Sequence, residues 1–172
     1  MIALTVALVL LAVVTAGHLL LTFALIRRVR ELQNRPAVPQ DSGLPEPGTP
    51  VGPFSLDRAD GSPFGTGDLA TGTALVGFFA AGCAPCTAVV ADLLDDPPAE
   101  RFVAFVDSGE DGPTRELAAR LGAIAEVAVV PWDSDAPAAF GQEGFPALLR
   151  VRDGVIVEAA RTRAALRDLS VR

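Results

Sequence analysis

The chain opens with its longest run of hydrophobic residues. Between Ile2 and Ile26 there is no Asp, Glu, Lys or Arg, and His18 is the only ionisable side chain. A helix needs about 20 apolar residues to cross a bilayer core, so the run predicts one transmembrane helix. Four arginines follow as a polar collar. They are Arg27, Arg28, Arg30 and Arg35. Residues 1–35 are therefore predicted to form a membrane anchor.

A cleaved secretory signal is the alternative interpretation of this segment, with Val14-Thr15-Ala16 as a weak cleavage site. We favour an uncleaved anchor, because no basic residue precedes the run and its apolar character continues well past that site. The orientation stays open. The positive-inside rule places the following domain in the cytoplasm, whereas a dithiol site on a tether is more useful outside, where disulfides persist.

Residues 36–53 form a second compositional segment. They contain six prolines and three glycines in 18 residues, which is incompatible with a helix or a central strand. Such a composition is typical of a semi-extended linker, with a reach of up to roughly 50 Å at ~3.1 Å per residue.

From residue 54 onwards, short apolar runs alternate with amphipathic segments. Continuous apolar runs predict strands buried on both faces over 73–80, 101–107 and 126–130. Amphipathic spacing and end signals predict helices over 85–94, 113–121, 135–140 and 162–169. Further features are an edge strand over 54–58, a capped helical turn at 66–69, and a hairpin of strands 147–151 and 155–159. This order predicts an α/β sandwich around a mixed sheet in residues 54–172.

The two cysteines of the chain, Cys83 and Cys86, lie where the first long strand gives way to a helix. Backbone N–H groups and the helix dipole stabilise a thiolate at the helix N-terminus, which favours Cys83 as the reactive sulfur. Cys86 lies one turn further on and can close a disulfide with it. A CxxC in this position therefore predicts thiol–disulfide exchange.

Composition excludes several other chemistries. All 14 basic residues are arginine, so a phosphate-binding loop ending in Gly-Lys and a Schiff-base lysine are both impossible. His18 is the only histidine, so the globular part has no histidine for a catalytic triad or a zinc helix. Zinc takes four ligands, and two thiols do not supply them. A purely structural disulfide is disfavoured because the loop that it would close is very short. We predict no cofactor and no metal.

The charge balance also limits the partners. The chain has a formal net charge of −7, and four of its arginines lie in the collar, so the rest is more acidic still. An acidic domain repels nucleic acid phosphates, and no nucleic acid partner is predicted.

Three segments together resemble a known family. They are Leu75–Cys86 (LVGFFAAGCAPC), Gly144–Ala147 (GFPA) and Val151–Val155 (VRDGV). Over about 120 residues the domain resembles the thioredoxin fold, and within it the membrane-tethered, TlpA-like thiol-disulfide oxidoreductases, which include methylamine-utilisation accessory proteins. The resemblance implies a three-layer sandwich, and a protein dithiol or disulfide as the substrate.

The resemblance also assigns roles to individual residues. Cys83 would attack and Cys86 would resolve the mixed disulfide. Pro146 would follow a cis peptide bond and face the dithiol, and the backbone of Phe145 would bind the partner peptide. Trp132 would either line a partner groove or fill space at a strand end.

Two positions depart from the family. An aromatic residue usually precedes the first cysteine, where this chain has Gly82. Thioredoxins carry a buried acid six residues before that cysteine, where this chain has Gly77. Glu143 is a candidate replacement for this acid by its proximity to Pro146 in the sequence. The missing acid also keeps open a second hypothesis, a binding or maturation module with little redox turnover.

Overall fold

The computed structural model describes Thr15, residues 43–109 and residues 111–170. The predicted membrane anchor, apart from Thr15, and residues 36–42 of the predicted linker lie outside these residues. Within the part of the chain that is described, no helix is both long and apolar enough to cross a bilayer.

The described part of the chain contains strands and helices that alternate for most of its length. The strands are β1 (Ser55–Asp57), β2 (Pro63–Gly65), β3 (Thr73–Phe79), β4 (Arg101–Asp107), β5 (Glu126–Val130), β6 (Ala147–Arg152) and β7 (Val155–Ala160). The helices are α1 (Ala84–Asp95), α2 (Asp111–Leu121), α3 (Asp135–Ala139) and α4 (Arg163–Ser170), with a 3₁₀ turn at Thr66–Leu69. Each of the helices and strands predicted within residues 54–172 is present, with ends that agree to within two residues.

Five strands form one mixed sheet in the order β5-β4-β3-β6-β7. Strands β3, β4 and β5 are parallel, because α1 and α2 provide the crossovers that parallel neighbours require. Strands β6 and β7 are antiparallel and are joined by a tight turn, in which Asp153 and Gly154 have φ values of 49° and 77°. The predicted α/β architecture with a mixed sheet is confirmed.

The predicted edge strand lies outside this sheet. β1 pairs only with β2, in a separate two-stranded sheet. The turn between them is built on Asp60, whose carboxylate accepts hydrogen bonds from the hydroxyl and the N–H of Ser62. These bonds, the hydroxyl bond first, lower the pKa of Asp60 below its ordinary value.

The sheet separates two hydrophobic cores because alternate residues of each strand point to opposite faces. Val76 and Phe78 of β3 point to one face, and Leu75 and Phe79 point to the other. The first face holds a cluster of aromatic rings whose neighbouring centroids lie 4.9–6.1 Å apart. Its members are Phe54, Phe64, Phe78, Phe105 and Phe140. The second face holds Cys86, so only Phe79 of the two adjacent phenylalanines faces the site side.

Residues 43–53, which we call the strap, run along the outer side of β7. The Gly48 N–H donates to the Ile156 carbonyl at 2.7 Å, and the Ile156 N–H donates to the Thr49 carbonyl at 2.9 Å. Val51 is buried in the first core. The sequence assigned these residues to the linker. The structure instead shows that the segment contacts the domain from Gly43 onwards, because its glycines and Val51 keep the N–H donors that the prolines lack.

An ion-pair group lies at the N-terminal end of β5. Arg101 donates to both carboxylate oxygens of Glu126, at 2.7 and 2.8 Å, and Arg58 donates to the same carboxylate at 3.0 Å. The hydrogen bonds from Arg101 are the main reason why the pKa of Glu126 lies below its ordinary value. This group fixes β5 against the segment that follows β1.

Candidate functional site

The two cysteines are joined by a disulfide at the start of α1. Their Cα atoms lie 5.2 Å apart, and Cys83 occupies the N-cap position of the helix. The Cys86 N–H donates to the Cys83 sulfur at 3.2 Å, and the Thr87 N–H donates to the Cys83 carbonyl at 3.1 Å. The helix therefore directs one backbone donor, the Cys86 N–H, at the sulfur of Cys83, the residue that the sequence predicted to carry the thiolate.

Burial distinguishes the two sulfurs. Cys83 is partly exposed, whereas Cys86 is 1% exposed and belongs to the second hydrophobic core. An external disulfide can therefore reach Cys83 directly, whereas it cannot reach the buried Cys86. This asymmetry suits an attacking and a resolving cysteine.

The turn before Cys83 explains the first departure from the family pattern. Gly82 has a φ of 72°, in the left-handed region that side chains with a Cβ rarely adopt. The chain thus uses glycine to turn from β3 into α1.

The second departure, at Gly77, is explained by packing. A Cβ placed on Gly77 would lie 2.5 Å from Cε2 and 2.8 Å from Cζ of Phe79. The Phe79 ring is fully buried on the same face of the sheet as Cys86. The space that an acidic side chain would need beside the dithiol is therefore occupied by an aromatic ring.

Pro146 lies at the same end of the sheet as the dithiol. Phe78 of β3 pairs with Ala147 of β6, so the residues just after β3 and those just before β6 lie at the same end of the sheet. The Phe145–Pro146 peptide bond is cis, as the resemblance implied. The Pro146 carbonyl accepts a hydrogen bond from Nη1 of Arg161 at 3.0 Å.

Phe145 and Trp132 form an aromatic pair beside this loop. Their ring centroids lie 4.5 Å apart, and Trp132 is 37% exposed. Phe145 and Cys83 both pack, partly buried, against the core that contains Cys86. Trp132 is therefore partly exposed, and together with Phe145 it forms an aromatic surface next to the cis-proline.

Glu143, the acid suggested by sequence proximity, is exposed. Its backbone N–H donates to the Gly43 carbonyl at 3.1 Å and thereby holds the strap against the domain. The buried cysteine sulfur and this exposed carboxylate thus lie in different environments.

Sequence reasoning missed a small pocket beside Cys86. It has a volume of about 160 Å³ and lies between the start of α1 and one side of α2. Cys86, Thr87, Glu116, Leu117 and Arg120 are among its lining residues. No local signal in the sequence identifies this pocket, since it depends on how α2 packs across the sheet.

Comparisons with known proteins identify the fold. No family model matches the sequence, and no curated protein matches it. Among solved structures, the thioredoxin domain of a thiol-disulfide oxidoreductase from Bacteroides vulgatus is similar, with 16% identity and a TM-score of 0.60. That alignment covers 74% of this chain and 96% of the other.

Two further solved structures are similar to this chain over a comparable length. A thio-disulfide isomerase from Thermus thermophilus has 22% identity and a TM-score of 0.56, covering 74% of this chain and 96% of its own. A secreted disulfide oxidoreductase from Mycobacterium tuberculosis has 20% identity and a TM-score of 0.51, covering 69% of this chain and 92% of its own. The described domain therefore has the thioredoxin fold.

Proposed function

We propose that this protein is a membrane-tethered thiol-disulfide oxidoreductase that reduces or exchanges disulfides in partner proteins. The observation that carries the proposal is the asymmetric pair at the start of α1, with Cys83 accessible and Cys86 buried behind it. The names of the similar structures support the same class of reaction.

The reaction begins on the reduced dithiol. The Cys83 thiolate attacks one sulfur of a partner disulfide, a Cys83–partner bond forms, and the partner's other sulfur leaves as a thiolate. Cys86 then loses its proton and attacks Cys83. The Cys83–partner bond breaks, and the partner leaves fully reduced while the Cys83–Cys86 disulfide forms. A dithiol reductant returns the protein to its starting state by the reverse exchange.

Binding of the partner is assigned to the cis-proline loop. In the proposed complex the backbone of Phe145 hydrogen-bonds an extended partner segment, and Pro146 packs beside the dithiol. The hydrogen bond from Arg161 to the Pro146 carbonyl supports this arrangement, since it fixes the position of the loop.

A second candidate function is a thioredoxin-like binding or maturation module with little turnover. The occupied space at Gly77 favours it, because an acid that would assist the second thiol is missing there. The two candidates differ in whether a covalent intermediate forms and resolves.

Replacement of Cys86 by serine distinguishes them. In a Cys86→Ser chain the first attack still occurs but the second cannot, so we expect a stable mixed disulfide between Cys83 and a partner. Non-reducing gels and mass spectrometry of affinity-purified protein will detect the adduct. The Cys83→Ser/Cys86→Ser chain is the control. Partner capture without any covalent adduct would favour the binding module instead.

The tether and its orientation are tested together. We propose that residues 1–35 anchor the chain and that the domain lies outside the cytoplasm, where protein disulfides persist. After mild reduction of intact cells, a membrane-impermeant maleimide should label the protein, and the label should remain in membranes washed with carbonate. The chain without cysteines should stay unlabelled. Labelling only after lysis would place the domain inside, and a shorter soluble product would indicate a cleaved signal.

A further inference from the structure

We propose that Glu116 serves as the proton acceptor for Cys86, acting through water in the pocket between α1 and α2. The inference rests on the proposed function, because it concerns the step in which Cys86 resolves the mixed disulfide. It assigns to α2 the proton-transfer role for which the sequence suggested Glu143, since the family's acid position holds Gly77 in this chain.

Cys86 needs an acceptor for its proton. Its thiol must become a thiolate before it can attack Cys83. On the sheet side Cys86 belongs to an apolar core that also contains Leu75, Phe79 and Leu148. Gly77 offers no side chain, and the strand residue paired with it is Ala104. Among the described residues of this core, no side chain other than the two cysteines is ionisable, so the core supplies no acceptor.

One polar opening reaches Cys86. The pocket of about 160 Å³ is lined by Cys86 together with residues of α2. A water molecule takes up about 30 Å³ of liquid volume, so the pocket has room for a few of them. It is open to solvent on one side, because Glu116 and Arg120 are both exposed.

The proton acceptor must be one of the groups around this opening. Glu116 and Arg120 are the ionisable side chains, besides Cys86 itself, among the described residues that line the pocket. A guanidinium keeps its proton at any physiological pH and cannot accept another. The Thr87 hydroxyl is directed at the Cys83 carbonyl, at 3.3 Å. On the cis-proline side, Arg161 is directed at the Pro146 carbonyl and Glu143 is exposed. Glu116 remains as the acceptor.

The proposed proton transfer and bond exchange conserve atoms and electrons. The Glu116 carboxylate takes a proton from a pocket water while that water takes the proton of the Cys86 thiol. The Cys86 thiolate forms a bond to the Cys83 sulfur, and the partner sulfur leaves with the bonding electron pair. In the reverse reaction the protonated Glu116 returns a proton to the leaving Cys86. The guanidinium of Arg120 favours the thiolate electrostatically in both directions.

The experiment follows both attacks separately. The reduced full-length chain, in detergent, is mixed with a small excess of Ellman's reagent in a stopped-flow instrument. Attack by Cys83 releases one thionitrobenzoate, and attack by Cys86 on the mixed disulfide releases the second. The first phase depends on reagent concentration and the second does not. The two rates are measured as a function of pH.

For Glu116→Gln we expect an unchanged first phase and a second phase slowed at least about tenfold near neutral pH, since positioned bases contribute this much or more. The gap should close at high pH, where the Cys86 thiol ionises without help. Glu116→Asp should recover part of the rate. The matched control is Asp111→Asn, an exposed carboxylate on the same helix that does not line the pocket; both of its phases should match the unmodified chain.

Several results would overturn the inference. They are an unchanged second phase in Glu116→Gln, a slowing that is equal at all pH values, or a pH-dependent slowing in Glu143→Gln instead. If the unmodified chain shows no first phase at all, the proposed function fails and the inference falls with it. A normal first phase with an unaffected second phase rejects the role of Glu116 alone.

Discussion

Replacement of Cys83 by serine is expected to reduce disulfide exchange by the full-length chain to the uncatalysed background. Cys83 is the accessible sulfur, and it receives the backbone donor of Cys86 at 3.2 Å. A serine hydroxyl at this position stays protonated near neutral pH and is a poor nucleophile without an adjacent base. The buried Cys86 cannot replace it, because a partner disulfide cannot reach a side chain that is 1% exposed. Turnover can be measured as dithiothreitol-driven reduction of insulin disulfides.

The comparison variant for this experiment is Cys86→Ser, which also lacks the internal disulfide but keeps the attacking sulfur. Mixed with a partner disulfide in the absence of dithiothreitol, it should react once and stop at the mixed disulfide, whereas Cys83→Ser should not react at all. Circular dichroism should show that both variants are folded, since the disulfide closes only a short loop. Persistent turnover in Cys83→Ser would contradict the assignment of Cys83 as the nucleophile.

Replacement of Gly77 by alanine is expected to lower the free energy of unfolding by about 1–3 kcal/mol, the usual range for overpacking a filled core. The added methyl group would lie 2.5 Å from the ring of Phe79 and 3.1 Å from the ring of Phe102. Both rings are buried and cannot swing into solvent. Urea unfolding followed by circular dichroism measures the change, and the loss is a large fraction of the stability of a typical domain.

Gly112→Ala is the matched control, because a Cβ at this position on α2 would meet no atom within 4 Å. This substitution should be neutral or stabilising, by up to about 1 kcal/mol. A double variant, Gly77→Ala with Phe79→Leu, should lose less stability than the sum of its single variants. Equal effects of Gly77→Ala and Gly112→Ala would mean that the Phe79 ring does not fill the space of the missing acid.

The helices and strands of the domain were predictable because local signals coincide. The apolar run before Cys83 has strand length, and the helix after Cys83 has a proline in its first turn. The turn at Asp153 and Gly154 is of the kind that joins antiparallel strands. Each signal lies within a few residues of the element it defines, so tertiary contacts were not needed to recognise it.

The strap could not be predicted, for an equally physical reason. Proline-rich segments lack the regular spacing of apolar residues that identifies a helix or a strand. Their few N–H donors find acceptors only on one particular neighbouring segment of the folded chain. The contacts of Gly48 and Thr49 with Ile156 join residues more than one hundred positions apart in the sequence. Composition alone therefore indicated a linker for residues that line the sheet.

At the candidate site, the sequence identified the residues but not their surroundings. The CxxC pair and the cis-proline loop were named from short motifs, and the structure brings both to one end of the sheet. The Phe79 ring over Gly77 and the pocket next to Glu116 arise from packing across the sheet. A sequence does not reveal such neighbours unless an alignment or a structure is available.

Both outer strands of the five-stranded sheet have their free sides at least partly occupied. The Ala59 N–H donates to the Val127 carbonyl of β5, and the strap hydrogen-bonds to Ile156 of β7. Unpaired strand edges invite other chains to add on as further strands, which leads to aggregation. Under the proposed function, covered edges leave the thiol end of the sheet as the place where a partner protein can bind, so that an encounter ends in disulfide exchange and release.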